Sequence, residues 1–405
     1  MRKNKRRAAG MLLAFAALFL GGCKEGESEA PDKLHVGVAS YNQSDTYMNA
    51  LIGRFKENMN ELGSDRLEVT VTVRDAAGLQ KTQNDQVEEM IDEGCNVLCV
   101  NLVDRADPSE IIDLARENDV PIIFFNREPV AEDLHQWEHL YYVGADARQS
   151  GILQGELAVD LIKEDDRIDK NKDGKIQYVV LEGEMGHQDA IIRTENAVNT
   201  LKQNGVEVEK LSCKIANWNR AQAQNRMEQI IGEYQNKIEL VLANNDDMAL
   251  GAVDAYKKLN YTSSALPVFF GIDGTDVGLE AVKKGELQGT VYNDKEGQAE
   301  VMAKLAAALI TGQSMEEIPF ENDRYVYLPY HKVSDENIEQ FSEKSMARQS
   351  CIKILIAVSW GAFYERLFPL VSKPVKIGES QGISVVGAGV HTQISTGEAI
   401  VYIGT

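Results

Sequence analysis

Asp169, Asn171 and Asp173 stand two residues apart, Gly174 follows at once, and Lys175 and Gln177 continue the spacing. Oxygen ligands at loop positions one, three and five, with glycine at six for the sharp turn, match a calcium loop of the EF-hand type. Position seven supplies a backbone carbonyl, so the Lys175 side chain does not interfere, and Gln177 at position nine offers an amide oxygen. The bidentate acid usual at position twelve is missing, because that residue is Val180. The loop also leads into a strand-like run at 176–181 rather than a second helix. It therefore needs a carboxylate from elsewhere, and the chemistry it implies is structural Ca2+ binding rather than sensing.

A second group of polar residues follows apolar runs. His187, Asp189 and Arg193 come just after the run ending at Leu181; Asn101 follows 97–100; Asn244, Asn245, Asp246 and Asp247 follow 238–242; Asp273 follows 269–272; Asn293 and Asp294 follow Tyr292. Each by itself reads equally well as a turn residue or helix cap. As a set they supply amides, carboxylates, an imidazole and a guanidinium without a nucleophile–base pair or a phosphate-binding glycine loop. That mixture suits a polyhydroxylated ligand, whose hydroxyls both donate and accept. Tyr47 and Trp218 are available to cover the C–H face of a ring, although core packing is the default role of such residues.

These residues need elements to hold them. Short apolar runs at 34–39, 67–73, 97–102 and 122–125 alternate with helical patterns, the first marked by Met48, Ile52, Phe55, Met59 and Leu62. The alternation restarts with a helix through Leu153, Leu157 and Leu161. Strands follow at 176–181, 238–242, 268–272 and 287–292, with a helix through Ile191, Val198 and Leu201. Repeated strand–helix units predict an α/β chain with parallel sheets covered by helices, here in two lobes. In such sheets ligands bind beyond the carboxyl ends of the strands, where the polar residues above fall.

The N-terminus carries an address. Arg2, Lys3, Lys5, Arg6 and Arg7 precede an apolar run from Met11 to Leu20, and Gly21 and Gly22 precede Cys23. The run is shorter than the ~20 residues that span a bilayer, so it reads as a cleaved export signal. Leu20-Gly-Gly-Cys23 resembles a lipoprotein cleavage box, which makes Cys23 the expected lipidation site and 24–33 a tether. The protein is expected on the outer face of the cytoplasmic membrane or in the periplasm, held by lipid alone. The net charge is −21 even though residues 1–23 carry +5 and the last sixty +2, which leaves −28 on residues 24–345. Such a surface repels phosphate backbones and argues against a nucleic-acid partner. Cys95 and Cys99 flank an apolar run; they read as core residues, since no further Cys or His nearby completes a ligand set. Residues 346–405, with two short strand-like runs in 377–405, carry no motif with chemistry.

Taken together, the chain resembles the bacterial periplasmic glucose/galactose-binding proteins over residues 34–345. The resemblance rests on Asn101-Leu-Val-Asp104, Phe124-Phe-Asn-Arg-Glu-Pro129, Tyr141-Tyr-Val-Gly144, the calcium loop, Gly186-His187, Ala243-Asn-Asn-Asp246 with Gly251-Ala-Val, and Gly289-Thr-Val. It implies two Rossmann-like lobes joined by three hinge crossovers, the first holding 34–124 and 294–327 and the second 125–293 and 328–345. It places a sugar site on Asp45, Tyr47, Asn101, His187, Asp189, Arg193, Trp218, Asn245, Asp273 and Asn293. It also supplies Glu239 as the missing calcium ligand. Tyr47 stands where the family usually has Phe, which adds a hydroxyl at the stacking position. The function implied is a monomeric, non-enzymatic receptor that captures glucose or galactose, closes about its hinge and delivers the sugar to an ABC transporter permease, with a chemoreceptor or sensor kinase as a further partner. A receptor for ribose, another monosaccharide or a nucleoside, or a sensor-input protein for a membrane kinase, is the alternative. A sugar-responsive repressor would need an N-terminal helix-turn-helix, and a dinucleotide enzyme a Gly-x-Gly-x-x-Gly after its first strand, where this chain has Val36-Gly-Val-Ala-Ser.

Overall fold

The computed structural model describes residues 32–341, 383–387, 390–395 and 398–403. The expected export signal with Cys23, the rest of 1–31, and residues 342–382 lie outside the described residues. Two compact units form. One comprises the described residues up to Asn42, Ile52–Val143 and Gln298–Val326; the other comprises Gln43–Leu51, Gly144–Gly297 and the described residues from Tyr327 on.

The first unit is built on six strands: β1 (Asp32–Ser40), β2 (Leu67–Asp75), β3 (Val97–Val100), β4 (Ile122–Phe125), β5 (Leu140–Gly144) and β11 (Tyr325–Tyr327). Their order is β11-β5-β4-β3-β1-β2, and the pairs from β5 to β2 are parallel. The continuous apolar runs of β3 and β4 are wholly buried, as central strands must be, whereas the alternating β2 is the half-exposed edge. Helices α1 (Thr46–Leu62), α2 (Gln80–Asp92), α3 (Ser109–Glu117) and the short α4 (Ala131–Leu134) connect them. Cys95 and Cys99 are buried core thiols, and burial pushes the Cys95 thiol up to about 11. Neither is in a disulfide.

In the second unit β6 (Ile176–Glu182), β7 (Val208–Ile215), β8 (Leu240–Ala243) and β9 (Val268–Phe270) form a parallel sheet in the order β7-β6-β8-β9. The strand expected over 287–292 is β10 (Thr290–Asn293). It meets β9 and the following turn only through isolated parallel bridges, and it pairs antiparallel with β12 (Tyr330–Val333). Helices α5 (Ala147–Glu164), α6 (Gln188–Gln203), α7 (Arg220–Tyr234), α8 (Asp246–Lys258) and α9 (Asp276–Lys283) link the strands, and α10 (Lys295–Thr311) follows β10. Helices α5 and α6 lie almost backbone to backbone. A β-carbon at Gly151 would stand 2.6 Å from the Arg193 carbonyl oxygen, and one at Gly155 2.7 Å from that of Ala197. This close approach fixes the helix that carries Arg193.

Three expectations need correction. The first passage between units follows Val143 rather than residue 124, because β5 continues the first sheet beside β4. The two tyrosines of Leu140–Gly144 hid that strand from an apolar-run criterion. The other passages fall at 297/298 and 326/327, against 293/294 and 327/328 expected. Gln43–Leu51, expected with the first lobe, groups with the second unit, where the Thr46 hydroxyl donates to Asp247 at 2.5 Å. Finally, the described residues of 377–405 form three strands where two were expected: Ile383–Gly387, Val390–Ser395 and Glu398–Ile403, an antiparallel sheet whose strands, among the described residues, pair with one another. No helix among the described residues is long and apolar enough to cross a membrane.

Candidate functional site

Nine of the ten expected ligand residues belong to the second unit, where they occupy strand ends and helix starts. Asp45 precedes α1, and its Oδ1 accepts the Met48 N–H at 3.0 Å, an N-cap arrangement. Tyr47 follows on the first turn and is buried. Burial raises its hydroxyl pKa well above the usual phenol range, with Tyr330, Asp273, Asp294 and Tyr292 adding to the shift.

His187 is the N-cap of α6: its Nδ1 accepts the Asp189 N–H at 3.2 Å. With Nδ1 accepting, the neutral ring carries its proton on Nε2 and presents a donor there. Arg193 stands one turn further along. Its Nη1 donates to the Asn244 carbonyl at 2.8 Å and lies 3.8 Å from Asp273 Oδ1, while Nη2 donates to the Tyr330 hydroxyl at 3.0 Å. Among the described residues its buried Nε has no hydrogen-bond partner. Burial works against the charged guanidinium, but Tyr330, Asp273 and Asp189 outweigh it and raise the pKa. Asp273 shows the converse: burial drives its carboxyl well above the usual range, and Arg193 pulls it back.

The Trp218 indole closes this group. His187 meets it edge-on with ring centroids 5.2 Å apart, and the Arg193 guanidinium carbon lies 5.8 Å from its ring centre. A β-carbon at Gly183 would fall 2.1 Å from the indole, so only glycine leaves room for the ring. The Trp218 carbonyl accepts Asn245 Nδ2–H at 3.3 Å, and Asn245 Oδ1 caps α8 by accepting Met248 N–H at 2.9 Å. Asn293 is buried at the end of β10, its N–H bonded to the Asp273 carbonyl at 3.0 Å.

Asn101 belongs to the first unit. It is fully buried at the end of β3, with Nδ2 donating to the Phe125 carbonyl and to Asn126 Oδ1, both at 3.2 Å. Nearby in that unit the Arg127 guanidinium lies 3.6 Å above the centre of the Tyr41 ring.

Two residues in this network were not among the expected ligands. Tyr330, on β12, anchors Arg193 across 137 residues of sequence, a link that no local spacing announces. Asn244 holds Arg193 through its carbonyl and accepts the Gly183 N–H through Oδ1 at 3.2 Å. It stands in the polar run that follows the 238–242 strand, where the resemblance places its neighbour Asn245 at the ligand.

The calcium-type loop lies in the second unit and is closed on itself. Gly174 has φ +81°. Asp169 accepts the N–H groups of Asp173 and Gly174 at 3.2 and 2.9 Å, and Asp173 accepts that of Lys175 at 2.9 Å. Glu239, just before β8, reaches back: Oε1 accepts Lys170 N–H at 2.6 Å and Oε2 accepts Gln177 N–H at 3.0 Å. Asn171 and Gln177 each turn an amide nitrogen toward Asp173 Oδ2 at 3.0 Å. Those NH2 groups stand where a cation would want oxygen. Among the described residues no three His, Cys, Asp or Glu side chains are grouped closely enough to hold a metal by themselves.

The sequence profile of the periplasmic binding protein domain family matches residues 36–314. The chain is 35% identical over 340 residues to the D-galactose/methyl-galactoside binding periplasmic protein of Haemophilus influenzae, spanning 83% of this chain and 99% of that one. It is 28% identical over 315 residues to a xylitol-binding protein of Mycolicibacterium smegmatis, spanning 76% and 82%. Among solved structures, an ABC transporter solute binding protein from Bacillus halodurans with bound myo-inositol superposes with a TM-score of 0.65 at 27% identity, over 78% of this chain and 99% of that one.

Proposed function

This chain belongs to the periplasmic binding protein family, and on that premise we propose that it is an exported receptor for glucose or galactose that serves an ABC transporter. Members of this family bind and release; they do not turn over a substrate. One observation carries the sugar reading. A buried Arg193, tied to Asp273, Tyr330 and the Asn244 carbonyl, keeps an Nε–H without a partner beside the Trp218 indole. An unsatisfied buried N–H costs about 1–3 kcal/mol, so its natural complement is an acceptor brought by the ligand. Asp45, Asp189, Asn245, Asp273 and Asn293 add the carboxylate and amide groups that hydroxyls bridge, and Tyr47 and Trp218 supply faces for ring C–H groups. The galactose-binding relative supports a hexose.

Calorimetric titration with galactose, glucose, ribose, xylitol and myo-inositol tests this. Galactose or glucose is expected to give the tightest binding, and X-ray scattering a smaller radius of gyration with that sugar, the mark of hinge closure. A second reading, a receptor for an inositol-like cyclitol, follows from the ligand of the Bacillus halodurans protein. Heat with myo-inositol alone would overturn the hexose reading in its favour.

The loop of Asp169, Asn171, Asp173, Lys175 and Gln177, with Glu239, is proposed as a Ca2+ site. Its donors are all hard oxygens once the Asn171 and Gln177 amides present oxygen instead of nitrogen, two orientations of nearly identical shape. Bound there, the ion would supply no chemistry toward the sugar; it would tie the 169–177 loop to Glu239. Cys23 is proposed as the lipid attachment that holds the receptor at the membrane surface, and a permease, with a chemoreceptor or sensor kinase besides, as the partner of the closed form.

A further inference from the structure

Asp246 is the first residue of α8, wholly buried, and has no ion-pair partner among the described residues. Its two oxygens are nonetheless fully engaged. Oδ1 accepts the Thr290 hydroxyl at 2.5 Å, at the start of β10. Oδ2 accepts both the N–H and the hydroxyl of Thr275, at 2.8 and 3.0 Å. The Asp246 N–H donates to the Ile272 carbonyl at 2.7 Å. Three separate segments thus meet at one carboxylate. The protein backbone makes way for it: a β-carbon at Gly271 would stand 2.3 Å from Oδ1, and one at Gly278 2.1 Å from Oδ2.

The segment that Asp246 grips is backbone-strained. Asp273 has φ +112°, a conformation that residues other than glycine rarely adopt, and Gly274 follows at +60°. Such a turn persists only where its surroundings over-determine it. On one side the Asp273 N–H donates to the Val291 carbonyl at 2.8 Å and the Asp273 carbonyl accepts Asn293 N–H. On the other, Thr290 Oγ1 accepts Gly274 N–H at 3.4 Å and donates its own hydrogen bond to Asp246 Oδ1. Thr275 caps α9 by accepting the Gly278 N–H on the same hydroxyl that donates a hydrogen bond to Asp246. Burying this carboxylate without a cation is costly, and desolvation pushes it up to about 6 in spite of its hydrogen bonds. That cost is borne where the ligand groups Asn245, Asp273 and Asn293 need a common frame.

We propose that Asp246 is a positioning residue for the sugar site: through Thr275 and Thr290 it locks the Asp273–Thr275 turn, the start of β10 and the start of α8 into one arrangement, and so sets where Asp273, Asn293 and Asn245 stand. The proposal rests on the sugar-site reading above. The decisive pair is Thr290→Val, which removes one tie while nearly keeping volume, and Thr290→Ser, which restores the hydroxyl. With Thr290→Val, galactose or glucose affinity falls at least fivefold, and amide hydrogen exchange at Gly274 and Thr275, measured without sugar, rises at least tenfold. Thr290→Ser keeps both within twofold of the parent. Asp246→Ala, where it folds, loses more than a hundredfold in affinity. If Thr290→Val and Thr290→Ser do not differ, whether both resemble the parent or both are impaired, the tie is packing alone and the proposal is wrong. A parent protein that binds neither sugar would sink the ligand reading, while the exchange contrast would still decide whether Asp246 holds the turn.

Discussion

At the scale of single residues, the site is held by contacts that leave no slack. Gly183 lacks a side chain because the Trp218 indole lies where a β-carbon would be. Trp218 itself has φ +58°, so its backbone cannot shift freely to make room. Gly183→Ala is therefore expected to tilt the indole away from Arg193 and His187 and to weaken sugar binding at least tenfold, about 1.4 kcal/mol. The melting temperature should move by only a few degrees, since the ring is only partly buried, at the edge of the core. Titration calorimetry beside a thermal melt checks this; unchanged affinity would mean that the indole is no part of the ligand surface. His187, Asp189, Asn245, Asp273 and Asn293 stand out in the sequence as candidates because each follows an apolar run or begins a helix, and Arg193 because it comes one turn into the helix that His187 caps. Tyr330 and the role of Asp246 were not. Their partners lie 137 residues away in one case and 29 and 44 in the other, and periodicity reports only neighbours on one element.

At the scale of elements, the continuous apolar strands and the long amphipathic helices could be read directly, because burial on both faces leaves a run with no alternation. What escaped were strands of mixed composition. β7 is half-exposed at the edge of its sheet, β5 carries two tyrosines, and β12 is polar at its centre. The calcium-type loop shows how an element boundary and a ligand set depend on each other. Glu239 lies 62 residues from Gln177 in sequence yet accepts its N–H at 3.0 Å, so the 169–177 loop is already drawn to the entry of β8. A cation there would draw Asp169, Asp173 and Glu239 together and offset a repulsion that burial has already made costly: Glu239 is raised above the usual carboxylate range by desolvation. Removing calcium with a chelator is expected to lower the melting temperature by several degrees, and Glu239→Gln to abolish that calcium dependence. A melt that does not respond after calcium removal is verified by metal analysis would eliminate the ion from this loop.

At the scale of the whole molecule, two α/β units account for everything assigned a role, and the family profile ends at residue 314. Beyond Phe341, the described part of the tail is a three-stranded antiparallel sheet. Its strands run Ile383–Gly387, Val390–Ser395 and Glu398–Ile403 and pair only with each other. Among the described residues it adds no strand to the sheets that carry the ligand residues, and the hydrogen bonds given above for Arg193, Asp246, Asn245 and Glu239 are all made to residues before Phe341. Truncation after Ser345 leaves β12 and its Tyr330 in place, and with them the anchor of Arg193. Sugar affinity of the truncated chain should therefore stay within twofold of the full chain, and the calcium-dependent shift in its melt should persist. A tenfold loss of affinity would show that the tail takes part in the binding fold, since the strands and hydrogen bonds described above would all still be present.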